Sequence, residues 1–189
     1  MDARAARLLG EVPAYPGEWR PPVLVALPGT GKTAIAEALA ARLPLTLLCT
    51  DAIRLRHGLE SGPATHAVIY EAAAELLRAG GGVLWDGIHA TRAHRDAVRA
   101  FAAEQGARLE LVWCTADDAT IRARLAERAA DPGATTAAGK FVITPEKLAQ
   151  FVAWLEPPGP DEAVVEIDTT CAPIEQNVAR IVRFCSLSP

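Results

Sequence analysis

Short apolar runs alternate along the chain with stretches whose apolar residues recur at helical spacing. Strands are predicted for five runs, namely Val23–Leu27, Leu45–Cys49, Val83–Trp85, Leu109–Cys114 and Val164–Ile167. Helices are predicted for six stretches, namely Thr33–Arg42, Pro63–Ala79, Thr91–Gln105, Asp117–Ala130, Pro145–Leu155 and Ile174–Cys185. Because the strands are continuously apolar, they are typical of a parallel sheet with helices on both faces. The pattern predicts an α/β fold of three layers (α/β/α) around a mostly parallel, five-stranded sheet.

The first 21 residues stand outside this alternation. They carry Pro13, Pro16, Gly17 and Pro21, which interrupt any regular element. We therefore predict an N-terminal arm at residues 1–21 and one domain at residues 22–189. A chain of 189 residues is long enough for one domain with a sizeable core.

Composition and charge narrow the class of protein. Half of the residues are hydrophobic and 22% are charged, as in a folded soluble protein. The formal net charge of −4 argues against broad, non-specific binding of DNA or RNA, although binding of a single strand end stays open. Neither a run of about 18 apolar residues nor a charged-then-apolar leader is present, so no membrane partner and a cytoplasmic location are predicted. Four cysteines without a C-x-x-C pair are predicted to be free thiols: Cys49, Cys114, Cys171 and Cys185.

A glycine-rich turn joins the first predicted strand to the first predicted helix. It reads A-L-P-G-T-G-K-T over residues 26–33, which is the sequence and the context of a phosphate-binding P-loop. Its backbone N–H groups and the helix N-terminus favour a triphosphate, with Lys32 at the β- and γ-oxygens and the Thr33 hydroxyl on Mg²⁺. Ala26 replaces the usual first glycine and is tolerable where φ is negative. The predicted nucleotide-binding residues are Pro28, Gly29, Thr30, Gly31, Lys32 and Thr33.

The second predicted strand delivers an acidic residue to its carboxyl end. Asp51 follows it directly, and ligands of α/β proteins bind in the crevice at this edge of the sheet. Asp51 is therefore a candidate to accept the proton of an attacking hydroxyl, with Arg54, one helical turn later, holding the acceptor. Spacing leaves a plainer alternative open, in which Thr50 or Asp51 only caps the next helix.

The third predicted strand also ends in an acid. Asp86 after Val83–Trp85 matches the Walker B arrangement, in which the carboxylate holds Mg²⁺ directly or through water. A turn-forming aspartate before Gly87 is the alternative. Four polar residues that follow are candidates for contacting the acceptor, although a solvated helix face explains them equally well: His89, Thr91, Arg92 and Arg95.

An arginine-rich helix precedes a glycine-containing segment. Arg128 lies about 20° and Arg124 about 60° from the apolar position Ile121 around this helix, so both arginines are near its buried stripe. Arginine in such a position usually has a partner, and a phosphate suits it. The following segment, 131–140, is predicted to be a loop that closes over nucleotide. We favour Arg128, then Arg124, as stabilisers of transition-state charge, with an exposed arginine-rich helix as the alternative.

With these motifs the chain resembles the small P-loop kinases grouped around polynucleotide 5′-hydroxyl kinases, zeta toxins and chloramphenicol phosphotransferases, which have an AAA-type ATP-binding domain. The resemblance runs from about Val23 to Ile181. Four features carry it: L-P-G-T-G-K-T, T-D-A-I-R after the second strand, the strand-ending Asp86, and R-A-R-L-A-E-R at 122–128. Three short segments are also similar: K-F-V at 140–142, E-P-P at 156–158 and I-D-T at 167–169.

The resemblance implies a P-loop NTPase fold with a helical lid at about residues 119–156. It also implies that Lys32 and Thr33 serve ATP and Mg²⁺, and that Asp51 activates the hydroxyl. Arg54 is implied to bind the acceptor, and lid arginines matching Arg124 and Arg128 to clamp the phosphates.

Three functions are compatible with these residues. The leading one is transfer of the γ-phosphate of ATP to a hydroxyl of a small molecule, with Asp51, Lys32 and Arg128 as catalytic residues and Arg92 as a further acceptor contact. A polynucleotide 5′-hydroxyl kinase is the second, and the net charge weighs against it. The third is an ATP-binding switch without kinase activity, suggested by the arm. No obvious N/T-K-x-D signature follows a late strand, so ATP is favoured over GTP.

Overall fold

The computed structural model describes residues 22–187. The predicted arm at residues 1–21 therefore lies outside the described residues. Five strands are present within the described part: β1 (Pro22–Ala26), β2 (Leu45–Cys49), β3 (Gly82–Asp86), β4 (Glu110–Thr115) and β5 (Val164–Asp168). They form one sheet in the order β2-β3-β1-β4-β5, and every neighbouring pair is parallel. The predicted α/β fold and the predicted strands are confirmed, with strand ends that differ by at most one residue.

Eight helices connect and cover these strands in residues 22–187: α1 (Lys32–Ala40), α2 (Thr50–His57), α3 (Pro63–Arg78), α4 (Arg92–Glu104), α5 (Asp118–Ala130), α6 (Pro132–Ala137), α7 (Pro145–Trp154) and α8 (Ile174–Leu187). The sheet order places β1 in the centre, between β3 and β4. The carboxyl ends of β1, β2 and β3 consequently meet at one edge, which is where the P-loop, Asp51 and Asp86 begin.

Successive strand residues point to opposite faces, so each strand supplies two cores. One core lies under α3 and α4 and includes Leu48, Ile69, Leu76, Trp85 and Leu111. The other lies under α1 and α8 and includes Ile35, Leu39, Leu84, Val112 and Ile181. The three-layer arrangement predicted from the continuously apolar strands is thereby confirmed.

The segment predicted as a loop at 131–140 contains helix α6, so that part of the prediction was wrong. Asp131 occupies its N-cap, where the carboxylate accepts a hydrogen bond from the Ala134 N–H, and Pro132 follows at the first helical position. Both are helix-start signals. Gly133 and the β-branched threonines after it have low helix propensity, which concealed the helix in the sequence pattern.

A small satellite core holds the lid helices together. Ile121 and Leu125 of α5 pack with Leu148 of α7. This cluster is separate from the two cores that flank the sheet.

Candidate active site

The P-loop turn is formed by two glycines in the left-handed region. Gly29 has φ 87° and Gly31 has φ 83°, a conformation that side chains other than glycine rarely adopt. Thr30 closes the turn, because its hydroxyl and its backbone N–H both donate to the Leu27 carbonyl, at 2.8 and 3.4 Å. Helix α1 then begins at Lys32, and no side chain caps its N-terminus at Gly31. Its first N–H groups are thus left for an anion.

The absence of a side chain at these two glycines also lets neighbouring elements pack closely against the P-loop. A Cβ added at Gly29 would lie 3.0 Å from Ile121 Cγ2 in helix α5, and one added at Gly31 would lie 3.3 Å from Thr169 Oγ1. Helix α5 and the end of β5 therefore lie directly on the P-loop.

Lys32 and Thr33 meet Asp86 at the centre of the site. The Thr33 hydroxyl donates to Asp86 Oδ2 at 2.8 Å, and Lys32 Nζ lies 3.7 Å from Asp86 Oδ1. Burial disfavours the charge on Lys32, but Asp86 and Asp51 outweigh it and hold the pKa of Lys32 above its usual value. The turn-forming alternative for Asp86 is not supported, since its side chain is 2% exposed and bonded to helix α1.

A divalent cation fits this corner. Asp86 Oδ1 is buried without a hydrogen-bond partner, next to the Thr33 hydroxyl. One carboxylate and one hydroxyl, completed by water and phosphate oxygens, are a typical ligand set for Mg²⁺. Thr33 and Asp86 are thus suited to the metal role predicted for them.

Asp51 lies inside the first turn of α2 and does not cap it. Cys49 occupies the N-cap position, and it makes no side-chain capping bond. Asp51 Oδ1 lies 3.5 Å from Arg54 Nη1. Burial raises the pKa of Asp51, while the charges of Lys32 and Arg54 partly oppose this rise. A carboxylate with a raised pKa beside a cationic site is suited to accept a proton.

Arg54 also contacts the segment that follows helix α6. Its guanidinium carbon lies 4.3 Å from the centre of the Phe141 ring, a cation–π contact. A Cβ at Gly139 would lie 3.0 Å from Ala52 Cβ, so the segment before Phe141 packs on α2 as well. Sequence analysis identified K-F-V at 140–142 only by resemblance and missed this contact.

The two predicted lid arginines take different positions. Arg124 lies on the P-loop, where Nη1 donates to Gly29 O at 3.3 Å and to Thr169 Oγ1 at 2.9 Å. Arg128 is close enough to Asp51 for their charges to interact, and burial lowers its pKa. Arg124 therefore contacts the P-loop directly, whereas the charge of Arg128 acts on Asp51.

Thr169 is a site residue that sequence reasoning missed. Its hydroxyl donates to Thr30 O at 2.6 Å while accepting from Arg124, and so links β5 to the P-loop. The only signal was the I-D-T segment at the end of a predicted strand.

Three of the polar candidates after Asp86 have structural partners. Arg92 makes two hydrogen bonds to Asp161, at 2.8 and 2.6 Å, and Thr91 caps helix α4 by accepting from the His94 N–H. Arg95 is buried against Glu162. The predicted contact of Arg92 with the acceptor stays a prediction, and the structure gives this guanidinium another partner.

The chain is also similar to known proteins. A family model described as an AAA domain matches residues 23–158. No curated protein matches the chain. In the described part of the chain, none of the helices is long and apolar enough to cross a membrane.

Three solved structures share the fold. A sugar kinase from Janibacter sp. HTCC2649 has a TM-score of 0.63 at 20% identity, covering 90% of this chain and 96% of that one. Kti12 from Chaetomium thermophilum, in complex with ADP-AlF3, has a TM-score of 0.70 at 16% identity, covering 87% and 98%. The Mycobacterium tuberculosis APS kinase CysC, in complex with AMPPNP and APS, has a TM-score of 0.59 at 17% identity, covering 90% and 99%. The predicted P-loop kinase-like fold is confirmed.

Proposed function

The chain belongs to the AAA domain family, and we propose that it is an ATP-dependent phosphotransferase that moves the γ-phosphate of ATP to a hydroxyl of a small molecule. One observation carries this proposal: beside the corner formed by Lys32, Thr33 and Asp86, the end of the neighbouring strand β2 leads into a second carboxylate, Asp51, which lies 3.5 Å from Arg54. Asp86 accepts a hydrogen bond from the Thr33 hydroxyl, the group predicted to bind the metal, whereas Asp51 does not. A second carboxylate that is not engaged by the P-loop hydroxyl is available to accept the proton of an attacking hydroxyl group.

Each side chain has a distinct task in the proposed reaction. The hydroxyl oxygen of the acceptor bonds to the γ-phosphorus while the bond from that phosphorus to the β–γ bridging oxygen breaks, and ADP leaves. Asp51 takes the hydroxyl proton. Lys32 and Arg128 stabilise charge on the transferring phosphoryl group, and Arg124 orients the nucleotide on the P-loop.

Mg²⁺ is the expected cofactor, held by Thr33 and Asp86. When bound, it supplies charge neutralisation at the phosphate oxygens. The remaining catalytic contribution is positioning, because Gly29 and Gly31 let the P-loop backbone approach the phosphates closely.

The acceptors named for structural neighbours guide the search for this protein's own. Those neighbours include a sugar kinase, a gluconokinase from Sinorhizobium meliloti 1021 and an APS kinase. We therefore propose a panel of D-glucose, D-gluconate, adenosine and adenosine 5′-phosphosulfate, tested with labelled ATP. A 5′-hydroxyl oligonucleotide belongs in the panel, because Arg54 on Phe141 offers a cation and an aromatic ring side by side. The net charge of −4 makes the small molecules the better candidates.

Substitution of the proposed base tests the mechanism. Asp51→Asn is expected to reduce transfer by about 10²–10⁴-fold, because the amide cannot accept the proton, while ATP affinity stays within about twofold. The wild-type kcat/KM is expected to fall as the pH drops through the pKa of Asp51. That pKa is raised, so the acid limb should lie above the ordinary aspartate value of about 3.9. Asp51→Asn should lack this limb.

Asp118→Asn is the matched control, because Asp118 is exposed at the start of α5 and pairs only with Arg122 among described contacts. Wild-type transfer by Asp51→Asn would show that the base is another group. Tight ATP binding without transfer to any panel member would instead favour an ATP-dependent switch.

A further inference from the structure

Four buried side-chain atoms in the described part of the chain lack a hydrogen-bond partner: Arg54 Nε, His57 Nε2, Asp86 Oδ1 and His89 Nε2. All four belong to α2 or to the end of β3 and the residues after it. Unpaired buried polar atoms are rare in native proteins, so such a concentration calls for an explanation. The proposed metal would supply the missing partner of Asp86 Oδ1. Among the other three atoms, His89 Nε2 is the one whose neighbours are best defined.

His89 adopts a backbone conformation that is uncommon for residues other than glycine. It is the one non-glycine residue between 22 and 187 with a positive φ, 42°. Such a backbone costs on the order of 1–3 kcal/mol and persists only where the surroundings enforce it. Strain of this kind is found preferentially at functional sites.

Arg95 braces the backbone of the segment that carries His89. Its Nη1 lies within hydrogen-bonding distance of three carbonyls, His89 O at 3.4 Å, Ala90 O at 3.3 Å and Glu156 O at 2.9 Å. Arg95 is in turn held by two hydrogen bonds to Glu162, at 2.8 and 2.7 Å. Both side chains are 1% exposed, so the loop that carries His89 is braced from behind.

The imidazole is fixed on its other side by the strand end. Its ring packs edge-on against Trp85, with the ring centres 5.0 Å apart. A Cβ at Gly87 would lie 2.8 Å from His89 Nε2 and 3.2 Å from Thr50 Oγ1. The unpaired nitrogen therefore packs against Gly87, close to the point at which α2, the helix that bears Asp51, begins.

His89 is also neutral at any physiological pH. Burial, with the charges of His66 and His94, lowers the pKa of His89 to about 3. A neutral imidazole exchanges hydrogen bonds with hydroxyl groups but does not attract anions as a cation does.

We propose that His89 is a specificity-determining residue of the acceptor site, whose Nε2 hydrogen-bonds an uncharged hydroxyl of the acceptor other than the one that is phosphorylated. This inference rests on the proposed function. It narrows the substrate class to compounds with at least two hydroxyl groups, one for Asp51 and one for His89. Glycine is required at position 87, because any side chain there would displace the imidazole.

The test measures binding without phosphoryl transfer. Side-chain ¹⁵N-histidine NMR follows the His89 signal while D-glucose, D-gluconate and adenosine are added in the presence of Mg²⁺ and AMPPNP. At least one of these compounds is expected to shift the signal, and its dissociation constant is expected to rise about tenfold in His89→Phe. Phenylalanine keeps the ring against Trp85 and removes the unpaired nitrogen, so thermal stability should be unchanged or higher. Gly87→Ala should weaken binding similarly, and His89→Gln should restore part of it.

His94→Phe serves as the control, because His94 is exposed on α4, and it should bind all ligands as the wild type does. The inference is overturned if none of the compounds shifts the His89 signal, if His89→Phe binds them normally, or if it loses affinity for AMPPNP to the same extent. Binding through His89 with no phosphorylation of any compound in the panel would support the role of His89 in binding and overturn the proposed kinase activity. Phosphorylation of a compound at the same rate by His89→Phe and by the wild type would support the kinase activity and overturn the inference about His89.

Discussion

The two halves of the site are built differently. On the nucleotide side, Thr169, Arg124 and the P-loop form a closed set of hydrogen bonds, and Thr169 Oγ1 alone joins Arg124 to Thr30. On the acceptor side, Arg54 and His89 each carry a buried nitrogen without a partner. Apart from Asp86 Oδ1 and the first N–H groups of α1, which face the proposed metal and phosphates, the nucleotide side is held together by its own hydrogen bonds, whereas the acceptor side keeps two unpaired side-chain nitrogens.

This difference follows from what each half must recognise. A triphosphate is bound by backbone N–H groups and a few cations, which the P-loop and α5 of this chain offer. In the proposed reaction, the acceptor would be recognised by individual side chains whose partners arrive only with the substrate. A site that hydrogen-bonds substrate groups discriminates strongly, because a wrong substrate leaves those buried atoms unpaired. Specificity is therefore expected to reside in α2 and the loop after β3.

The substitution with the largest expected effect removes the charged partner of Arg95. It tests whether the acceptor side is rigid despite its unpaired atoms. Glu162→Gln should lower the free energy of unfolding by about 3–5 kcal/mol, because Arg95 would keep a buried charge without a charged partner. Acceptor affinity should also fall, since Arg95 holds the His89 carbonyl, while ATP affinity should not. Urea denaturation and separate titrations of the two ligands measure these effects.

Glu162 also predicts a pH dependence of stability. The hydrogen bond from Arg95 lowers the pKa of Glu162 from 4.5 to about 2 in the folded protein. Its stabilising contribution is therefore complete above about pH 4.5 and is lost as the pH falls toward 2. Asp161→Asn is the matched control: Asp161 is 61% exposed in its pair with Arg92, and loss of a surface pair changes stability by about 1 kcal/mol or less. Equal destabilisation by the two substitutions would contradict a bracing role for Glu162.

The fold was predictable because each buried parallel strand has a continuously apolar sequence. Because the apolar strands were located correctly, the acidic residues at or just after their carboxyl ends, Asp51 and Asp86, could be identified as candidates. The spacing of the P-loop motif identified Lys32 and Thr33. Periodicity placed Arg124 and Arg128 on the buried side of α5. These predictions depend on residues close together in the chain.

What the sequence did not reveal depends on distant contacts. Thr169 meets Thr30 across 139 positions, and Arg95 meets Glu162 across 67. The I-D-T segment around Thr169 and the position of Arg95 after Asp86 marked these residues only in general terms, and nothing local identified their partners. The positive φ of His89 likewise occurs where Arg95, a residue of the following helix, contacts the His89 carbonyl, and no local turn signal announces it.

The nucleotide side gives the next largest effect. Thr169→Val should weaken ATP binding about tenfold, because Thr30 O loses a donor and Arg124 loses an acceptor while volume is kept. Binding of the acceptor should change by less than about twofold. A fluorescent ATP analogue and the acceptor are titrated separately to measure the two. Thr136→Val is the control, since the Thr136 hydroxyl bonds only within α6 among described contacts. Equal losses for both ligands would mean that the two halves are not independent.

The smallest expected effect concerns the contact that joins the lid to the acceptor side. Phe141→Leu keeps an apolar side chain under Arg54 but removes the aromatic face, a loss of about 0.5–1 kcal/mol. Arg54 would then be held less firmly near Asp51, and KM for the acceptor should rise by about two- to fivefold with kcat and KM for ATP nearly unchanged. Steady-state kinetics with each substrate varied in turn separates these parameters, and Val142→Leu, at the exposed neighbouring position, is the control. A rise confined to KM for ATP would assign Phe141 to the nucleotide side. In that case the division between the two halves would run through α2 and not between α2 and the P-loop.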